Sequence, residues 1–99
     1  MISTMGAAVF IHDKVMFEIY RESAYDRRYR VVYFTELDEH NKDEEIARAT
    51  AGEHYYDGFL RNESLSEAKR LIGRLLDRLN AGEPVPPEEL DRTLADHLA

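Results

Sequence analysis

A chain of 99 residues has the length of one domain, and with 43% hydrophobic and 33% charged residues it can bury a single core and keep the rest solvated. The absence of cysteine excludes disulfides, thiolate metal sites, a cysteine nucleophile and a CxxC redox pair, and it suits a reducing compartment. A formal net charge of −7 argues against a protein built mainly to grip phosphate backbones, where affinity comes from Lys and Arg.

Residues 1–6 lack the basic start and apolar run of a signal peptide and are expected to be disordered. Ala7 to Ile11 is a short apolar run, interrupted by His12-Asp13-Lys14. Val15 to Tyr20 then alternates, with Val15, Phe17 and Ile19 on one face and Met16, Glu18 and Tyr20 on the other. Two such runs separated by so short a polar break predict a β-hairpin. Residues 21–28 break the pattern, and Tyr29 to Leu37 alternates again as a third strand. Sequential strands with short links most simply form an antiparallel meander.

The second half switches period. Asp43 to Ala51 is predicted as a short helix, with acidic residues at its start and Gly52 after its end. Glu53 to Leu60 turns aromatic and reads as a fourth strand, with Asp57-Gly58 marking a turn or bulge. Ser64-Leu65-Ser66-Glu67 fits a capping box. It opens a helix whose apolar stripe runs Leu65, Ala68, Leu71, Ile72, Leu75, Leu76, Leu79 and stops at Asn80-Ala81-Gly82. Glu83-Pro84-Val85-Pro86-Pro87 is a stiff link into a last helix. There Pro87 takes the first helical position, and Leu90, Leu94 and Leu98 lie along one side. The predicted fold class is α+β: one domain over 1–99, with a three- to four-stranded antiparallel sheet in the order β-β-β-α-β-α-α and two C-terminal helices on one face. No segment has the run of ~20 apolar residues that a membrane span needs, and the cytoplasm is the expected location.

Motifs with a known mechanism are missing: there is no GxxxxGK[ST] phosphate loop, GxGxxG turn, HExxH or GxSxG elbow. Glu53-His54-x-x-Asp57 is the densest histidine–carboxylate cluster. On a strand, however, His54 and Asp57 point to opposite faces and converge only if the chain bends. The loop Asp38-x-His40-x-Lys42 fails as a calcium site, because Lys42 stands where an oxygen ligand belongs. Asp43, Glu44 and Glu45 suit a helix N-terminus without any acid–base role.

Charge is uneven along the chain. Residues 21–30 hold four arginines against two carboxylates, whereas residues 36–45 hold six carboxylates against one lysine. Tyr20, Arg21, Tyr25, Arg27, Arg28, Tyr29 and Arg30 intersperse aromatics with cations, the composition of protein-binding hot spots and of base-stacking surfaces. A second aromatic group is Tyr55, Tyr56, Phe59 and Leu60, of which period two buries one pair and exposes the other to a partner chain. The expected function is therefore a small non-enzymatic interaction or regulatory module that binds another protein or a second copy of itself. Its candidate contact residues are Tyr25, Arg27, Arg28, Tyr29, Tyr55 and Tyr56, with no cofactor and no metal. One alternative is a nucleic-acid-binding accessory protein using segment 20–30, for which the acidic whole is unfavourable. The other is a small metal-dependent enzyme centred on His54.

Overall fold

The computed structural model describes residues 5–12, 14–35 and 55–99. Strands β1 (Met5–His12), β2 (Val15–Arg21), β3 (Tyr29–Phe34) and β4 (Tyr55–Leu60) precede helices α1 (Leu65–Asn80) and α2 (Glu88–Leu94), with 3₁₀ turns at Asn62–Ser64 and Ala95–His97. This is the α+β arrangement that the alternating first half and helical second half predict. The four strands pair in chain order, each antiparallel to the next. His12 pairs with Val15 at the closed end of the first hairpin. β1 begins at Met5, two residues before the apolar run, and Met5 and Gly6 pair with Arg21 and Tyr20. The short helix expected at 43–51 lies outside the described residues.

Two local expectations are corrected. β4 keeps an unbroken register with β3 from Tyr55 to Leu60, so Asp57-Gly58 is neither turn nor bulge. The irregularity of the sheet falls instead in β1, between Gly6 and Ala8. Gly58 serves packing: the Tyr56 side chain lies across it, and a Cβ there would stand 2.6 Å from the Tyr56 hydroxyl oxygen. The capping box does not form either. Ser64 ends the 3₁₀ turn and makes no side-chain cap bond. Its hydroxyl lies 3.1 Å from His97 Nδ1, while the Glu67 carboxylate pairs with Arg70 one turn along.

One face of the sheet carries the main core. Phe17, Ile19, Val31, Tyr33, Tyr56 and Leu60 pack against Ala68, Ile72 and Leu75 of α1 and Leu90 and Leu94 of α2. Each such apolar side chain contributes roughly 1.5–3 kcal/mol on burial, so this face anchors the domain. Phe17 and Tyr33 are directly opposite on β2 and β3, with ring centroids 4.3 Å apart. The Tyr33 hydroxyl donates to the Val85 carbonyl at 2.7 Å, fastening the proline-rich link to the sheet. Helix α1 ends in a Schellman motif: the Gly82 amide donates to the Leu79 carbonyl and the Glu83 amide to the Arg78 carbonyl. Gly82 has φ +84°, the left-handed conformation that this cap requires.

The opposite face holds a smaller cluster of Tyr20, Val32 and Phe34, with Met16 and Tyr55 packed against it. Pro87 precedes α2 instead of opening it, and the helix gives way to a 3₁₀ turn after Leu94. Leu98 therefore leaves the helical line and bridges Leu60, in antiparallel contact with the outer edge of β4. The Ala99 amide donates to the Phe59 carbonyl at 2.8 Å and the Arg61 amide to the His97 carbonyl at 2.9 Å. Among the described residues, no helix is long and apolar enough to cross a membrane.

Candidate functional site

The β2–β3 connection runs from Glu22 to Arg28 and is shaped by its own short polar side chains. The Asp26 amide donates to the Ser23 carbonyl at 3.3 Å, closing a turn. The Tyr25 amide donates to Ser23 Oγ, and the Arg28 amide to Asp26 Oδ1 at 2.9 Å. Ser and Asp do this readily because their side-chain oxygens reach backbone amides two residues on. The Arg28 amide and then its guanidinium hold the Asp26 carboxyl below its ordinary range. Tyr25 sits on this turn with 94% of its surface exposed, and Arg27 beside it is also exposed. The Arg28 guanidinium lies 4.2 Å from the centroid of the Phe59 ring on β4.

Beneath the loop, Arg30 is a hub. Its Nε and Nη2 donate as a fork to the two Asp57 oxygens at 2.8 and 2.6 Å. Nη1 donates to the Tyr20 hydroxyl at 2.7 Å and to Glu22 at 3.0 Å, and Nη2 reaches the Tyr55 hydroxyl at 3.3 Å. The register explains the convergence: Tyr20 stands opposite Arg30, and Asp57 opposite Val32, so all three side chains share the face away from the helices. Only 11% of the Arg30 side chain is exposed. A guanidinium bound at every edge positions the sheet and has little left with which to grip a ligand. Arg21, on the other face, lies over the Tyr29 ring and donates to Asn62.

The six residues expected to bind a partner therefore separate. Tyr25, Arg27 and Arg28 share the loop. Tyr29 is half-buried against the main core, and Tyr56 is buried within it. Burial, with the Asp91 carboxylate nearby, pushes the Tyr56 hydroxyl above its ordinary range. Tyr55 packs its ring on Phe34, with centroids 4.9 Å apart, on the opposite face. His54 lies outside the described residues. Among the described residues, no three histidine or carboxylate side chains stand together as metal ligands. The Arg30–Asp57 fork and the Ser64–His97 contact lie beyond the reach of sequence reasoning. The first needs the strand register and the second the path of the C-terminal turn, and neither leaves a spacing signal in the chain.

No family model matches this chain, and no curated protein or solved structure is significantly similar to it.

Proposed function

We propose that this chain is a non-enzymatic interaction module that binds another protein through the 22–28 loop. Tyr25 is the central contact, and Arg27 and Arg28 are its charged flank. The observation that carries the reading is the solvent-facing Tyr25 ring on a turn already closed by Ser23 and Asp26. A large aromatic there adds nothing to the core. Tyrosine and arginine are the side chains that most often dominate binding energy at protein interfaces. A loop fixed by internal hydrogen bonds also loses less conformational freedom when a partner docks. Tyr29, Tyr55 and Tyr56 have no contact role in this reading. A cytoplasmic setting is part of the proposal and suits a cysteine-free chain.

The test compares the native chain with the Tyr25→Ala/Arg27→Ala variant, each immobilised and exposed to nuclease-treated lysate of the source organism. A protein retained in stoichiometric amount by the native chain and lost from an equally folded variant is the expected result. The same captured set on both chains would remove the loop from consideration. Capture that depends on omitting the nuclease would point to nucleic acid instead.

A further inference from the structure

The four arginines of segment 21–30 use their donors to different degrees. Arg30 is bonded at every edge, and Arg21 donates to Asn62. Arg28 gives its Nε to Asp26 Oδ1 at 3.3 Å and lays its guanidinium over the Phe59 ring, with 51% of the side chain still exposed. Among the described residues neither of its Nη atoms has a partner, and the exposed Arg27 guanidinium makes no ion pair or hydrogen bond. A guanidinium carries five N–H donors in one plane. Asp26 holds that of Arg28 at one edge and Phe59 holds it at one face, so the plane is set while the Nη1–Nη2 edge is left over. Such an edge matches the two oxygens of a carboxylate, and a preset one loses less freedom on binding than a loose side chain.

We infer that this free edge of Arg28, with Arg27 as a second cation, receives carboxylates from an acidic segment of the protein partner, while Tyr25 packs beside them. The inference rests on the 22–28 loop being the contact surface. Local charge selects the occupant: residues 21–30 carry four arginines against two carboxylates, and Arg30 is consumed internally. Two available cations suit one or two carboxylates. They are too few for a phosphate backbone, whose affinity grows with the number of phosphates neutralised. The −7 of the whole chain opposes an acidic partner at long range, but physiological salt screens that field within about 8 Å, whereas the fork acts at hydrogen-bond distance.

Nuclear magnetic resonance of the intact, isotope-labelled chain tests this. The probes are a capped Glu-Glu-Leu-Glu-Glu peptide and its glutamine counterpart, each titrated to about 5 mM. The expected result is that the glutamate peptide shifts the amides of Tyr25, Arg27 and Arg28 and the Arg28 Nε signal, and binds at least ~3-fold more tightly than the glutamine peptide. Arg28→Lys keeps the charge and loses the planar fork. Phe59→Leu keeps both cations and removes the ring that orients the fork. Each should weaken binding of the glutamate peptide at least ~3-fold. Equal binding of the two peptides, variants that bind as the native chain does, shifts confined to another surface, or no shift at all overturns the inference. So does a single-stranded oligonucleotide of equal charge that shifts the same signals at lower concentration, since nucleic acid would then be the ligand. If Phe59→Leu fails to fold, Arg28→Lys still decides. Failure here leaves the loop as a contact surface standing, because the lysate capture judges that separately and needs no acidic partner.

Discussion

The base and the tip of the 22–28 loop use the same residue types for opposite ends. Arg30 at the base is forked onto Asp57, bonded to Tyr20, Glu22 and Tyr55, and largely buried. Arg27, three residues earlier, is exposed beside Tyr25. Tyr33 on β3 is buried with its hydroxyl spent on the Val85 carbonyl, while Tyr25 holds its ring in water. Composition cannot separate these roles. Strand register separates them, because it decides whether a cation meets a carboxylate across the sheet or leaves the sheet altogether.

The largest expected effect is at the base. Arg30→Ala removes the guanidinium that bonds Asp57, Glu22 and two tyrosine hydroxyls. It should cost about 2–3 kcal/mol in urea unfolding, less than a fully buried pair because both carboxylates stay partly exposed. A cost under ~0.5 kcal/mol would erase the contrast with Arg27.

Next is Tyr33. Burial, reinforced by the Glu89 carboxylate, pushes its hydroxyl up to about 12 from an ordinary value of 10.0. The folded state therefore keeps a proton that the unfolded chain releases first. This contribution to stability is complete below about pH 10 and is lost as pH rises towards about 12. Urea midpoints measured through that window should fall, and Tyr33→Phe should flatten part of the fall. At neutral pH the same substitution should cost about 1 kcal/mol, by leaving the Val85 carbonyl without its donor. Tyr25→Ala with Arg27→Ala should sit at the bottom of the scale, within about 0.5 kcal/mol of the native chain. Any larger loss would mean that the tip supports the fold, and would blur what a binding assay on that variant reports.

The strands and the long helix are legible in the sequence because their burial is periodic. Phe17 and Ile19 alternate with Glu18, and Ala68, Ile72 and Leu75 recur at helical spacing, so the spacing of apolar residues alone marks the core face. Two local patterns mislead for an identifiable reason: a second use of the same residues is stronger. Ser64 has the side chain of an N-cap, yet it meets His97 from the C-terminal turn. Asp57-Gly58 has turn chemistry, yet the Arg30 fork and the Tyr56 ring hold both residues in a regular strand. The candidate site is legible only at Tyr25, Arg27 and Arg28. The remaining three tyrosines carry the same aromatic signal, but Tyr29 and Tyr56 turn to the core and Tyr55 to the opposite face, a division made by pairing partners far along the chain.

The Tyr56–Gly58 contact ties two positions into one unit of variation. Gly58 carries no positive φ, so its backbone would accept alanine; the obstacle is the phenol lying across it. An alanine at 58 demands that the residue at 56 be shortened or turned aside, and loss of the Tyr56 hydroxyl removes the nearest of the obstructing atoms. The two substitutions should be markedly non-additive, each altering the cost of the other. A chain that drifts in sequence while keeping this fold would have to change the pair together or leave both alone.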